Sequence, residues 1–252
     1  MQRLLAPDGC PWDREQTFES LRRFVLEEAS EVVDAIDHGD RRAVCQELGD
    51  LLLQVAFLSE LGRAEGAFGP DDVVASIVDK LLRRHPHVFA ETVVSGSDEV
   101  LRNWERIKAT EREQAAKPAG MLASVPRGLP ALVRAQRIGE KVARVGFDWP
   151  DMAGSRDKVR EEMRELEDAI QGQSAAQVED ELGDVLFALC NLARHLDVDA
   201  EAALRKTTRK FVRRFEHVEG RVKEQHGGWP AQGEPLPLQE LDEYWEEAKD
   251  RE

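Results

Sequence analysis

The sequence predicts an all-α fold arranged as two tandem helix bundles. Three observations predict it. Glu, Arg, Ala and Leu dominate the 252 residues, and aromatic residues are few, with 9 Phe, 5 Trp and the single Tyr244; that composition favours helix over strand. Apolar residues recur at helical spacing through long stretches of the chain. The chain also repeats itself. Val25-Leu26-Glu27-Glu28-Ala29-Ser30-Glu31 returns as Val159-Arg160-Glu161-Glu162-Met163-Arg164-Glu165, and Glu47-Leu48-Gly49-Asp50-Leu51-Leu52 as Glu181-Leu182-Gly183-Asp184-Val185-Leu186, both 134 positions later. Lys80-Leu81-Leu82-Arg83-Arg84 is answered by Lys210-Phe211-Val212-Arg213-Arg214, and Trp12-Asp13 more loosely by Phe147-Asp148-Trp149. Each half closes on a Trp-Glu pair followed by lysine, Trp104-Glu105 with Lys108 and Trp245-Glu246 with Lys249. Equal offsets across short acidic motifs point to a duplicated domain. The expected division is 1–112, a linker over 113–130 punctuated by Pro118, Pro126 and Pro130, and 131–252.

The elements follow in order. Leu21, Phe24, Val25, Ala29, Val32, Val33 and Ile36 lie at helical spacing, and His38-Gly39-Asp40 ends that helix. A second helix runs from Arg41 to about Gly62, with Leu48, Leu51, Leu52, Val55 and Leu58 as its expected apolar face. A third begins at Asp71 and carries Val74, Ile77, Val78, Leu81 and Leu82. Arg83, Arg84 and His85 fill its last turn, which suits the helix dipole, and Pro86 stops it. The second half repeats the scheme over 157–171, 175–196 and 200–224. Short connections make successive helices antiparallel neighbours, so each half is expected to be a helix bundle.

Charge and cysteine usage remove several classes of function. With 50 Asp+Glu against 35 Lys+Arg, the net charge of −15 argues against a duplex-DNA partner. The longest uncharged apolar run, Leu51–Leu58, is far short of the ~20 residues that span a bilayer, and Met1–Asp13 has no apolar core of a signal peptide. Cys10, Cys45 and Cys190 are too scattered for a disulfide framework or a thiolate zinc site and are expected as small buried apolar residues. A cytoplasmic location and no membrane partner are the expectations.

The acidic motifs carry the chemistry. Side chains three apart on a helix share a face, so Glu162 projects with Glu165, and Glu181 with Asp184 on the next helix. If the helices run antiparallel, four carboxylates converge, and such a cluster needs a cation to offset its mutual repulsion. An oxygen-only set suits a hard ion, Mg²⁺ or in its place Mn²⁺, rather than zinc. A di-iron bundle is disfavoured because neither half holds its Glu-x-x-His motif. Glu28, Glu31, Glu47 and Asp50 form the equivalent set in the first half, a possible second metal site. One acidic motif alone is most often a solvated helix face. Against that, both sets recur at fixed spacing, and Asp50 and Asp184 each head an apolar run where a lone carboxylate is costly to desolvate. Lys158, one turn before Glu162, and Lys210 with Arg214, four apart, are candidates to bind phosphates; the ordinary alternative for the latter pair is ion pairing along a helix surface. His85 and His87 read as helix termination and packing rather than ligands. Trp104 and Trp245 read as packing or interface anchors, with stacking on a purine open to Trp245.

The sequence resembles the MazG family of nucleoside triphosphate pyrophosphohydrolases. Besides the acidic motifs, the resemblance rests on Gly9-Cys10-Pro11-Trp12-Asp13 with Gln16-Thr17, Arg84-His85-Pro86-His87-Val88-Phe89, Arg127-Gly128-Leu129-Pro130-Ala131-Leu132, Gly146-Phe147-Asp148-Trp149 and Asn191-Leu192-Ala193-Arg194-His195-Leu196. It runs in order over nearly the whole chain. It implies Mg²⁺-dependent hydrolysis of ribo- and deoxynucleoside triphosphates to monophosphate and pyrophosphate, by water attack at the α-phosphorus. It also implies an all-α homodimer and a housecleaning or stress role. By the same resemblance Glu162, Glu165, Glu181 and Asp184 hold the metal, Lys158, Lys210 and Arg214 contact the triphosphate, and Glu161 assists as a nearby proton-accepting carboxylate. Asn191 and Trp245 complete the expected substrate contacts.

The halves are not equivalent. Lys158 is answered by Phe24 and Asn191 by Phe57, so the first half keeps its carboxylates but lacks a cation and an amide. The C-terminal half is therefore expected to be catalytic and the N-terminal half structural or regulatory. Two departures from the family pattern stand out: Thr208 in place of Asn in an Asn-x-Lys-Phe motif, and Gln177 where relatives can carry lysine. Base preference is expected to be broad. Two alternatives remain at this level, a hydrolase of a guanosine tetraphosphate-type alarmone and a non-catalytic helical scaffold.

Overall fold

A computed structural model describes residues 1–90, 92–114, 120–230 and 235–251, with backbone alone at 98, 101, 105, 108–109 and 112–114. The side chains of Glu105 and Lys108 in the first half's Trp-Glu-lysine motif, and part of the expected linker, lie outside the described residues. The chain divides into two compact units, Met1–Ala116 and Lys117–Glu252. No strand occurs among the described residues.

The first unit runs α1 (Gln2–Leu5), α2 (Pro11–Arg14), α3 (Phe18–His38), α4 (Arg41–Ala64), α5 (Pro70–Arg84), α6 (Pro86–Phe89) and α7 (Ser97–Gln114). A capping box starts α3: the Ser20 amide donates to Thr17 Oγ1 and the Thr17 amide to Ser20 Oγ. The helix ends at Gly39, whose φ of 76° only glycine adopts without strain. Asp40 then accepts from the Arg42 and Ala43 amides and starts α4. That tight connection folds α3 and α4 back on each other as the main packed pair of the unit. At the end of α5, Arg83 and Arg84 both pair with Glu111 of α7, at 3.0 and 2.7 Å.

The second unit opens with a 3₁₀ turn (Met121–Ser124) and continues with α8 (Ala131–Ala143), α9 (Met152–Gln171), α10 (Ala175–His195), α11 (Ala200–His226) and α12 (Leu238–Asp250). Asp151 caps α9 and Ser174 caps α10. The α9–α10 hairpin is the counterpart of α3–α4, and α8 also packs on α10. α11 contacts α10 and α8 only lightly and pairs instead with α12. Val218 and Val222 of α11 and Tyr244 of α12 form a small core of their own, flanked by Leu236, Leu241 and Trp245.

The helices expected at 157–171, 175–196 and 200–224 are present, the first beginning five residues earlier at Met152 because Asp151 supplies its cap. Three expectations are corrected. On α4, Leu48, Leu52 and Val55 are exposed, Leu52 by 65%, while Gln54, Phe57 and Glu60 are buried. A two-helix layer covers only one stripe of each helix, and the stripe meeting α3 is not the most apolar one. The apolar stripe of α5 is exposed as well. Asp50 and Asp184 both face solvent, so the desolvation cost assigned to them is not incurred in the single chain. Cys190 is buried as expected, but Cys10 is half-buried and Cys45 lies on the solvent side of α4.

Candidate metal and nucleotide site

In the α9–α10 hairpin the carboxylates of Glu162, Glu165 and Glu181 converge, one oxygen from each lying within 4.8 Å of the others. Helical spacing puts the first two on the α9 face that meets α10, and the hairpin turn sets Glu181 opposite them. Asp184 lies one turn further along α10, exposed and outside this trio. Glu162 is only 5% exposed, and a buried carboxylate needs a counter-charge. Lys158 supplies it, with Nζ 2.6 Å from Glu162 Oε1 and 2.9 Å from Glu161 Oε1. Its hydrogen bonds to these two carboxylates raise the ammonium's pKa above the ordinary lysine range. Glu165 is pushed up from the usual carboxylate range, first by desolvation and then by its neighbours Glu162 and Glu181. An oxygen-only trio pressed together against its own repulsion fits a hard divalent cation, Mg²⁺ or Mn²⁺.

The N-terminal hairpin holds a parallel group: Glu28, Glu47 and Asp50 meet the same closeness, and Glu31 lies outside it. Among the described residues no lysine pairs with this group. Phe24 occupies the place of Lys158, with Trp12 edge-on at 5.8 Å and the Arg23 guanidinium 4.5 Å over its ring. Desolvation raises the Glu28 pKa, helped by Glu31 and Asp50, while a hydrogen bond from Gln54 opposes the rise. The other oxygen-bearing end of that amide, Gln54 Oε1, is buried without a partner.

The remaining candidate residues are not all at the trio. Lys210 is exposed on α11, and the Arg214 guanidinium sits 5.7 Å from the Trp245 ring. Trp245 packs tilted against Phe211, ring centroids 4.9 Å apart, and flanks the α11–α12 core, a packing position rather than an open stacking platform. Since α9 and α11 are not a packed pair, one chain does not clamp these cations onto the carboxylates. Thr208 bonds its own helix, donating to the Leu204 carbonyl. His85 caps α5, its Nδ1 2.9 Å from the Leu81 carbonyl oxygen and its ring edge-on to Trp104 at 5.0 Å, a packing role as expected.

Asn191 marks a feature that spacing alone did not reveal. A cleft of about 440 Å³ opens between α8, α10 and the Gly146–Trp149 turn. Asp148 of that turn receives two hydrogen bonds from the Arg194 guanidinium and lies 3.0 Å from His195 Nε2, which ties the turn to α10. These bonds, from Arg194 first, hold the Asp148 carboxyl below its ordinary range. Arg194 Nε also donates to Asn191 Oδ1 at 2.9 Å. Gly139 leaves room for this pair, since a Cβ there would come within 3.2 Å of Asn191 Oδ1. Gly146-Phe147-Asp148-Trp149 and Asn191–Leu196 are both conspicuous in the sequence, but nothing in their spacing says that they touch.

Fold and site together define the class: an all-α protein of two helical-hairpin units, each with an acidic centre suited to a divalent cation. The MazG nucleotide pyrophosphohydrolase domain matches twice, over residues 16–89 and 155–219, which hold both carboxylate sets, the first hairpin and all but the first turn of the second. A protein of Escherichia coli K12 named nucleoside triphosphate pyrophosphohydrolase is 47% identical over 257 aligned positions, covering 100% of this chain and 95% of that one. A Thermotoga maritima protein named nucleoside triphosphate pyrophosphohydrolase/pyrophosphatase MazG is 43% identical, over 99% of this chain and 92% of its own. A Mycolicibacterium smegmatis nucleoside triphosphate pyrophosphohydrolase is 43% identical over 54% of this chain and 42% of its own. The chain belongs to the MazG family.

Proposed function

We propose that the protein hydrolyses ribo- and deoxynucleoside triphosphates to monophosphate and pyrophosphate with Mg²⁺, in its C-terminal unit and as a homodimer. The observation that carries this is the trio Glu162, Glu165 and Glu181 with Lys158 at its edge. Glu162 and Glu165 on α9, Glu181 on α10 and Asp184 one turn on would hold the ion. When bound, Mg²⁺ supplies positive charge against the charge that builds on the phosphoryl oxygens. The chain's own residues do the rest. Lys158 neutralises Glu162 before substrate arrives and, with the cation on that carboxylate, becomes free to point its ammonium at a phosphate. Glu161, exposed beside Lys158, would accept a proton from the attacking water.

The homodimer rests on uncovered apolar surface. Leu182, Leu186, Phe211 and Phe215 in the second unit, like Leu48 and Leu52 in the first, are too exposed for a monomer in water. A second copy that covers the α9–α10 face with its own α11 would also bring Lys210 and Arg214 to the carboxylates that their own chain leaves apart. The N-terminal unit, with Phe24 in place of the lysine, serves a structural or regulatory role. The activity suits upkeep of a cytoplasmic nucleotide pool.

The test is to incubate the full chain with each nucleoside triphosphate and Mg²⁺ and separate the products by anion exchange. Monophosphate with pyrophosphate, abolished by chelator and by Glu162→Gln, is the expected result. Diphosphate with phosphate, or no turnover of any triphosphate, would overturn the reading.

A further inference from the structure

The first unit has a small cleft of its own where α5 ends beside α7. It has a volume of about 200 Å³ and is lined by Lys80, Leu81, Arg84, His85 and Trp104. Sites that bury a drug-sized ligand run to roughly 300–1,000 Å³, so this one suits a small ion better than a nucleoside. Lys80 and Arg84 are one turn apart and share a face of α5. Trp104 meets them from α7, its ring edge-on to His85 with centroids 5.0 Å apart.

The hydrogen-bonding capacity of these residues is only partly used. Arg84 donates from Nη2 to Glu111 Oε2 at 2.7 Å, but its Nε is buried and bonds to nothing. Trp104 Nε1 is likewise buried without an acceptor. A buried N–H left unmet costs about 1–3 kcal/mol, and folded proteins keep few of them. Here two belong to the walls of one cleft. The charge is unbalanced as well. Arg83 and Arg84 share the single carboxylate of Glu111, and among the described residues Lys80 pairs with none. The lining itself contains no carboxylate among the described residues. In a chain of net charge −15, such a local excess of cations runs against the general field.

The donors decide the chemistry of the ligand. Ammonium, guanidinium and indole N–H groups only donate, so a ligand has to bring acceptors and negative charge. A planar carboxylate has two oxygens to offer, whereas a tetrahedral phosphate has one for each of Lys80, Arg84 and Trp104. We propose that this cleft of the N-terminal unit binds a small inorganic phosphate, orthophosphate or pyrophosphate, between α5 and α7. Its oxygens accept from Lys80 Nζ, Arg84 Nε and Trp104 Nε1, and the anion adds a second tie between helices already joined through Glu111. The site belongs to the unit that lacks Lys158, and it stands whether or not the protein hydrolyses a triphosphate.

Calorimetric titration of the full chain in chelator tests this, since neither carboxylate centre then holds a cation that could draw a phosphate in. Orthophosphate and pyrophosphate are titrated separately, and at least one is expected to bind with a Kd below about 1 mM. Tighter pyrophosphate binding would make the product of triphosphate cleavage the ligand, and tighter orthophosphate binding the free ion; either upholds the site. Lys80→Met removes a charged donor and should weaken binding by about 10- to 100-fold. Trp104→Phe keeps the ring against His85 but loses the N–H, and should weaken it by about 2- to 10-fold. Lys210→Met, on α11 of the other unit, should bind as the wild type does. Circular dichroism of each variant should match the wild type, so that a loss of affinity is not a loss of fold. No binding of either anion, or equal affinity in wild type, Lys80→Met and Trp104→Phe, would overturn the proposal. So would binding that is lost in Lys210→Met and kept in Lys80→Met.

Discussion

Lys158 sets its ammonium 2.6 Å from Glu162, the most deeply buried carboxylate of its cluster, and the matching position of the other half holds Phe24. The same hairpin is thus built twice, once with an internal cation and once without. In the C-terminal hairpin a buried carboxylate is neutralised before any ion arrives. In the N-terminal hairpin the burden falls on Gln54 and on the proton affinity of Glu28.

That pairing predicts a metal-dependent stability defect. Lys158→Met leaves Glu162 buried without its partner, which costs about 1–3 kcal/mol. The unfolding midpoint of the variant in chelator should fall below that of the wild type. Added Mg²⁺ should recover more stability in the variant than in the wild type, since the ion takes over the lost charge. Equal midpoints in chelator would show that Lys158 does not support Glu162.

The two centres should separate functionally. In the full chain, Glu162→Gln is expected to lower kcat by on the order of 10²–10³-fold. Glu28→Gln should leave turnover within about twofold, a change of a few tenths of a kcal/mol in the barrier. Calorimetric titration with Mn²⁺ should show each variant losing cation binding from its own unit. Comparable losses of turnover would assign catalysis to both halves.

If the partner subunit delivers Lys210 and Arg214, complementation follows. Chains carrying Glu162→Gln and chains carrying Lys210→Met are each expected to be inactive. Unfolded together and refolded, they form mixed dimers in which one of the two sites is wholly wild type. Random pairing then restores about a quarter of wild-type activity. A mixture that stayed inactive would place both groups of residues in one chain.

The clasp between Asp148 and Arg194 predicts a pH dependence. The folded-state pKa of Asp148 is depressed, chiefly by hydrogen bonds from Arg194 and then by His195. A depressed carboxylate contributes stability that is full above its unfolded value, about 4, and disappears as pH falls through the lower folded value. Denaturant titrations should find Asp148→Asn less stable than wild type by about 1–3 kcal/mol at neutral pH. The gap should hold down to about pH 5 and close below about pH 4. A gap that persisted unchanged into acid would mean that the charge of Asp148 is not what holds the turn.

Much of this protein is written in short-range pattern. The ends of α3 and α4 are legible because Gly39 and Asp40 terminate and cap by local chemistry. The duplication is legible because equal offsets need no structure to be seen, and the convergence of Glu162 and Glu165 follows from helical spacing alone. Helices α7, α8 and α12 are not legible in the same way. Apolar residues are sparse in α7, and α8 contains Gly139, a residue that lowers helix propensity.

The sequence by itself determined the helical class, the two-fold repeat and which acidic side chains share a helix face, because these depend on residue type and on separations of three or four positions. Only the tertiary structure decided which stripe of α4 is covered, and that Glu181 rather than Asp184 closes the trio. It also decided that Asp148, Arg194 and Asn191 form one network 46 and 3 positions apart, and that α11 leaves the hairpin to pair with α12. Those outcomes depend on how helices compete for a limited apolar contact area across long stretches of chain. Periodicity measures the direction of a side chain around its own axis and carries no information about which neighbour meets it.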